Sequence, residues 1–191
     1  MNSERVLTEL EQQALVWDQT CARARAVAAG IREHAADHPV VKTVRPDRDR
    51  VLVALHVTDQ AQWAEWRRYF GIEHVTEQPL PYAVCAEGHR DGVRVSVVAY
   101  DVPQVRARAT EVAARPYLLD GLVYDLALPQ RDKDGDCWFF QGERRGDGMP
   151  LLSMDGRPER CTLANLVVQV GPLTPVTTTS TPVTHEGGEA A

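Results

Sequence analysis

The chain has 191 residues, of which 43% are apolar and 25% are charged, and its net charge is −6. These values are typical of a folded globular protein and allow one sizeable core or two small ones. No apolar run approaches the roughly 20 residues that span a bilayer, and the polar start of the chain lacks the apolar core of a signal peptide. We therefore expect a cytoplasmic protein without a membrane partner.

The first 36 residues have the periodicity of a helix. We predict one long helix over residues 4–35, with Ser3 as its N-cap and His38-Pro39 as its end. Small or apolar residues recur at alternating steps of three and four, which makes a heptad stripe: Leu7, Leu10, Ala14, Trp17, Cys21, Ala24, Ala28 and Ile31. The stripe is typical of a helix that pairs with another chain, here through Leu7, Leu10, Trp17 and Ile31. Half of its residues are small, and Val6, Leu15, Val16 and Val27 widen the apolar face, which favours instead a helix that packs on the protein's own sheet.

The rest of the chain repeats one pattern three times: two alternating apolar runs, a tight polar turn between them, and an amphipathic run. Strands are predicted over 40–45 and 50–57, over 82–88 and 93–100, and over 137–143 and 149–154. Helices are predicted over 59–71, 102–114 and 162–170. The sequence therefore predicts an α+β fold in which the long N-terminal helix precedes three ββα (hairpin–helix) units. We expect an antiparallel sheet with helices on one face, shared by the first two units.

Composition places the boundaries between these parts. We predict an N-terminal helix over 1–36, a ββαββα domain over 37–115, and a connector plus the third ββα unit over 116–173. Residues 174–191 are rich in threonine, proline and glycine. Such a segment cannot bury enough apolar area to offset the entropy of ordering it, so we expect a disordered tail.

One segment resembles known sequences. The stretch from Asp134 to Leu173 contains Gly-Asp-Cys-Trp-Phe, Gly-Glu-Arg-Arg-Gly-Asp-Gly-Met-Pro-Leu-Leu and Leu-Ala-Asn-Leu-Val. It resembles small uncharacterised proteins of Streptomyces-like actinobacteria, a resemblance that implies no activity and no catalytic residue. The strong excess of arginine over lysine likewise indicates a GC-rich bacterial source.

Arginines gather near the first two predicted hairpin turns and on the second helix: Arg45, Arg48, Arg50, Arg67, Arg68, Arg90 and Arg94. Hairpin tips that carry arginine are able to grip nucleic-acid phosphates, which makes a nucleic-acid partner the alternative interpretation. Each tip also carries aspartate, and no block of the chain is strongly basic. This mixture of signs favours a solvated turn.

Four acidic residues have the spacing of a calcium loop. Asp132, Asp134, Asp136 and Glu143 occupy positions 1, 3, 5 and 12 of such a loop. Position 6 is Cys137, although the sharp turn of the loop requires glycine there. We therefore predict an aspartate–glycine turn that leads into a hairpin, with calcium as the weaker alternative.

The sequence contains no recognisable catalytic or cofactor-binding motif. The four cysteines are far apart and make no Cys-x-x-Cys pair, so we expect reduced thiols and no zinc, and we predict no cofactor. The sequence thus favours a non-enzymatic protein-interaction or regulatory scaffold protein with a protein partner or self-association. The alternatives are a nucleic-acid-associated protein, and a small-ligand binder or enzyme that lacks a recognisable motif.

Overall fold

The computed structural model describes residues 8–177; residues 1–7, which include Ser3 and Leu7, and residues 178–191 lie outside the described residues. The described chain divides into two compact units. The first takes in residues 8–112 and 118–123, and the second takes in residues 113–117 and 124–177. The fold is α+β with four helices in the described residues, as the sequence predicts.

The first unit is a helix followed by a five-stranded sheet with two further helices. Its elements are α1 (Glu9–His34), β1 (Val41–Asp47), β2 (Arg50–His56), α2 (Gln60–Phe70), a 3₁₀ turn (His74–Thr76), β3 (Gln78–Pro79), β4 (Ala83–Arg90), β5 (Val93–Tyr100) and α3 (Val102–Val112). The order of strands in the sheet is β1-β2-β5-β4-β3. The first two predicted hairpins therefore share one sheet.

The centre of this sheet corrects the antiparallel prediction. Strands β2 and β5 are parallel neighbours, with Arg50 opposite Arg94 and His56 opposite Tyr100. Both strands carry apolar residues on both faces, which suits central positions, while the more polar β1 and the two-residue β3 form the edges. The two hairpins meet through their second strands, β2 and β5, and these two strands run in the same direction.

Local signals fix the ends of the helices. Helix α1 begins after Thr8: Thr8 Oγ1 accepts a hydrogen bond from the Glu11 amide, and the Glu11 carboxylate accepts one from the Thr8 amide. The hydrogen bonds that the Thr8 amide and the Thr8 hydroxyl donate to the Glu11 carboxylate lower the pKa of Glu11. Asp59 caps α2, and Gly71 ends it with a φ of 61°.

The core of the first unit lies between one face of the sheet and the helices. Trp63, Trp66 and Phe70 of α2 recur at steps of three and four residues and are fully buried, so α2 packs these aromatic side chains in the core. The second half of α1 adds Ala24, Val27, Ala28 and Ile31 to the same core. On the opposite face, the residues of β2 and β5 are exposed or half-buried, including Arg50 and Arg94.

The second unit holds a separate antiparallel sheet. Its strands are β8 (Gln130–Arg131), β9 (Cys137–Arg144), β10 (Pro150–Met154), β11 (Arg160–Thr162) and β12 (Thr174–Pro175), in the order β11-β10-β9-β8-β12. Helix α4 (Leu163–Val170) follows β11, and the Thr162 side chain caps it by accepting a hydrogen bond from the Asn165 amide. Strands β6 (Pro116–Leu119) and β7 (Leu122–Asp125) form a hairpin whose residues are divided between the two units.

The predicted third ββα unit is therefore only part of a larger arrangement. Strand β11 lies between the hairpin and its helix, and β8 and β12 extend the sheet. The first residues of the predicted disordered tail, Thr174 and Pro175, pair with β8 instead. Their ordering follows from the backbone hydrogen bonds that β8 offers at the edge of the sheet.

Candidate interaction site

The first half of α1 is exposed on every side. Each residue from 12 to 20 is exposed, whereas burial of the helix begins at Ala24. The segment nevertheless carries large apolar side chains: Leu10 is 76% exposed, Val16 62% and Trp17 49%. Because short helices in water gain most of their stability from packing an apolar face, a helical segment without such packing suits a partner. We call residues 9–21 of α1 the exposed segment.

The heptad stripe is divided between two environments. Ala24, Ala28 and Ile31 pack in the protein's own core, where Ile31 is only 1% exposed. Ile31 is therefore inaccessible as a pairing residue, while Leu10 and Trp17 lie in the exposed segment. Leu7 lies outside the described residues.

Charge is unequally distributed along α1. The exposed segment carries Glu9, Glu11 and Asp18 and has no basic residue. The following turns carry the exposed residues Arg23 and Arg25. The helix is therefore acidic where it is exposed on every side and basic just beyond that segment.

The predicted arginine set is dispersed over the first unit. The register places Arg45, Arg50 and Arg94 on the sheet face opposite the helices, since Arg45 is opposite Leu52 and Arg50 is opposite Arg94. Arg50 Nε lies 3.2 Å from Asp47 Oδ2, and Arg94 Nη2 lies 3.8 Å from Asp49 Oδ2. These acids reduce the positive potential of the face. Arg48 lies between β1 and β2 in the turn, with a φ of 56°.

The other predicted arginines lie on the helical side. The Arg90 guanidinium lies 4.4 Å from the centre of the Tyr69 ring, which also stacks on His34. Arg67 is largely buried and donates a hydrogen bond of 2.6 Å to the Asp120 carbonyl. Arg68 is exposed in the last turn of α2. The seven arginines do not share one surface.

The predicted calcium residues form a turn and an ion pair. The Asp132 carboxylate accepts hydrogen bonds from the amides of Asp134 and Asp136 and from the indole of Trp138. Glu143 instead pairs with Arg160. Across residues 8–177 no group of three or more acidic, histidine or cysteine side chains is arranged to hold a metal ion. The aspartates serve the turn that precedes β9, and the indole and amide donors lower the pKa of Asp132.

A buried carboxylate cluster was not predicted from the sequence. The Glu77 side chain is 3% exposed and lies 3.1 Å from Arg67 Nε, 3.1 Å from His74 Nδ1 and 3.4 Å from Arg106 Nη2. Arg106 also donates a 2.8 Å hydrogen bond to the Gly121 carbonyl. The cluster joins α2, α3 and the turn between β6 and β7, which is a structural role. His74 is only three residues from Glu77, but Arg67 and Arg106 come from two separate helices, so no local spacing signals the cluster.

A second unpredicted cluster lies where β2 and β5 end. His56 and Tyr100 are opposite each other in the parallel pair, with ring centres 4.7 Å apart. His56 Nδ1 is 3.5 Å from Asp101 Oδ2, and the Tyr82 ring is nearly parallel to that of Tyr100. Only the parallel pairing of two distant strands brings these residues together.

Comparison with protein-family models, with curated proteins and with solved structures finds no match to this chain. The resemblance of residues 134–173 to actinobacterial proteins therefore stays a prediction. In the described part of the chain, none of the helices combines the length and the apolar character needed to span a membrane.

Proposed function

We propose that this chain is a non-enzymatic interaction or scaffold protein that self-associates through the exposed segment of α1. The observation that carries the proposal is a run of exposed helical residues that includes large apolar side chains, on a helix whose second half is anchored in the core. Because the second half of α1 is packed in the core, it fixes the direction in which the exposed segment points. A second copy supplies the same segment, so two copies bury each other's apolar side chains.

An antiparallel pair fits both the sizes and the charges of the side chains. With Ala14 opposite Trp17 of the second copy, a small residue faces a large one, and Leu10 faces Cys21. The acidic first turn, with Glu9, then approaches Arg23 of the second copy. Opposite charges at the flanks of such a helix pair set its orientation.

Trp17 contributes most to the proposed interface. A tryptophan buries up to about 250 Å², so the 49% that remains exposed corresponds to about 120 Å². At about 25 cal/mol per Å², covering that area favours association by about 3 kcal/mol per chain. Replacing Trp17 by glutamate is therefore expected to weaken dimerisation by at least about 100-fold.

The test compares Trp17→Glu with Val168→Glu by sedimentation over a range of concentrations. Val168 is a matched control because it is also an exposed apolar residue on a helix, in the second unit. The proposal predicts that Trp17→Glu abolishes the dimer and that Val168→Glu preserves it. Equal effects of the two substitutions, or no effect of Trp17→Glu, would contradict it.

The antiparallel orientation of the two exposed segments is tested separately. In the antiparallel arrangement, Leu10→Cys places a thiol opposite Cys21 of the second copy, and mild oxidation should link the two chains through that pair. Peptide mapping by mass spectrometry identifies the linkage despite the other three cysteines. A linkage between the introduced thiols of the two copies would indicate a parallel pair instead.

The nucleic-acid alternative is favoured by one observation, the shared sheet face of Arg45, Arg50 and Arg94. Ion pairs with Asp47 and Asp49 oppose it. Phosphate binding would appear as affinity that falls steeply with salt and is lost in Arg50→Glu. Fluorescence anisotropy with a labelled single strand at low salt distinguishes the two functions.

A further inference from the structure

A cleft of about 300 Å³ lies in the first unit, between the second half of α1 and the turn that joins β4 to β5. Its lining comes from α1, from the last turn of α2 and from the β4–β5 turn. The volume equals that of about ten water molecules and reaches the lower end of the range for small-molecule sites. No residue of the exposed segment lines the cleft, so it is separate from the surface proposed for self-association.

The α1 side of the cleft is apolar and leaves open space. Val27, Gly30 and Ile31 recur at steps of three and one, so they lie on one side of the helix. Val27 and Ile31 are buried and form the floor of the cleft. A Cβ atom added at Gly30 would meet no other atom within 4 Å, so glycine keeps this part of the cleft empty. An apolar group of a ligand therefore has room against this floor.

Arg90 brings a guanidinium group to the cleft. In β4, Ala86 and Gly88 face the core, and Arg90 continues that alternation, so its side chain emerges on the helical side of the sheet. The guanidinium lies 4.4 Å from the centre of the Tyr69 ring. Among the described residues it forms an ion pair only with its neighbour Asp91, at the long distance of 3.7 Å. An arginine stacked on an aromatic ring presents its N–H groups in one plane, which suits the two oxygens of a carboxylate.

The charges around the cleft have both signs. Glu33 and Asp91 line it together with Arg90. Two carboxylates beside one guanidinium make the lining negative as a whole, which disfavours a ligand that is only anionic. Asp91 already lies beside Arg90, so the exposed Glu33 is the acid available to a positive group. A ligand that carries one negative and one positive group matches this arrangement.

We propose that this cleft binds a free α-amino acid with an apolar side chain. The carboxylate of the ligand accepts hydrogen bonds from Arg90, its ammonium group donates to Glu33, and its side chain packs on the apolar floor. Leucine has about nine non-hydrogen atoms, which fits a space of about ten water molecules. An acylated amino acid lacks the ammonium group and an amino acid amide lacks the carboxylate, so both charges are needed together only by the free amino acid.

The experiment is an NMR titration of the isotope-labelled full-length protein, with the backbone amides of Gly30, Ile31 and Asp91 as reporters. The probes are L-leucine, glycine, N-acetyl-L-leucine and L-leucinamide. The proposal predicts that leucine shifts the reporter signals and binds at least about tenfold more tightly than each other probe, because each of those lacks one of the three contacts. An absence of shifts at tens of millimolar leucine, or equal binding of leucine and any other probe, would overturn the proposal.

Two substitutions test the assignment, each with a matched control. Gly30→Leu fills the empty part of the cleft and should weaken leucine binding at least about tenfold, and the open space at Gly30 should preserve the fold. Its control is Ala29→Leu, because Ala29 is exposed on the same helix and does not line the cleft. Arg90→Gln should weaken leucine binding about tenfold. Its control is Arg94→Gln, at a similarly exposed arginine of the same hairpin on the opposite face of the sheet.

Glu33→Gln tests the role of the ammonium group. It should weaken the binding of leucine and leave that of N-acetyl-L-leucine unchanged, so that the two probes bind almost equally. Leucine binding that Gly30→Leu or Arg90→Gln leaves unchanged, or a Glu33→Gln variant that still prefers leucine by the natural factor, would overturn the proposal. Since none of these substitutions lies in the exposed segment, the outcome is independent of self-association.

Discussion

The packing of α2 against β4 leads to a steric prediction at Gly88. A Cβ atom added at this buried residue would lie 2.2 Å from the Phe70 carbonyl oxygen and 2.8 Å from Ile72 Cγ1. The usual separation of a carbon and a carbonyl oxygen is about 3.3 Å, so the overlap is about 1 Å. The Phe70 carbonyl belongs to the backbone, so it cannot rotate away as a flexible side chain could. Gly88→Ala should therefore destabilise the protein by about 2–3 kcal/mol.

Gly30→Ala is the matched control. Gly30 lies inside α1, and a Cβ atom added there meets no other atom within 4 Å. Because alanine favours a helix interior over glycine, this substitution should stabilise by about 0.5–1 kcal/mol. Thermal unfolding followed by circular dichroism should show a melting temperature about 8–12 °C lower for Gly88→Ala and a few degrees higher for Gly30→Ala. A Gly88→Ala variant as stable as the natural chain would refute the packing of α2 on β4.

Two predictions concern buried carboxylates, both measured by urea unfolding. The Trp138 indole and backbone amides lower the pKa of Asp132 below its ordinary 3.8. The ionised carboxylate therefore stabilises the fold fully above pH 3.8, and this stabilisation is lost as the pH falls through the pKa of Asp132 in the folded protein. Asp132→Asn should cost about 1–3 kcal/mol at pH 7, and this cost should shrink as the pH is lowered through the pKa of Asp132 in the folded protein; a pH-independent difference would contradict this. Glu77→Gln leaves Arg67 and Arg106 without their counter-ion and should cost about 3 kcal/mol, whereas Glu73→Gln, at an exposed neighbouring position, should have almost no effect.

Local chemistry made much of the fold predictable. The Asp91-Gly92 pair has φ angles of 50° and 75° and joins β4 to β5 in a two-residue turn, as its sequence indicates. Gly71 ends α2 and Thr162 caps α4 for equally local reasons. These signals work because a few adjacent residues decide the backbone conformation.

The pairing of distant strands was not predictable in this way. Nothing next to Val53 or Val97 in the sequence shows that these residues lie opposite each other in parallel strands. The parallel pair also brings His56 to Tyr100, so the cluster at that edge could not be predicted. Glu77 was missed for the same reason, because its arginine partners come from two separate helices.

The candidate interaction site was partly predictable. The heptad stripe predicted that α1 carries a face for packing, but a stripe is the same whether a sheet or another helix covers it. The structure shows that the sheet covers Ala24 to Ile31 and not Leu10 or Trp17. A truncation that removes all of α1 would therefore remove core residues as well, and substitutions within the exposed segment are the better test.

The mass of the full-length chain in solution shows whether two copies associate. Light scattering on a sizing column, over a wide range of loading concentrations, should show a particle of twice the 21.2 kDa chain mass that dissociates on dilution. Trp17→Glu should elute at the mass of one chain at every concentration. A natural chain that remains at 21.2 kDa at the highest concentration would contradict self-association through the exposed segment.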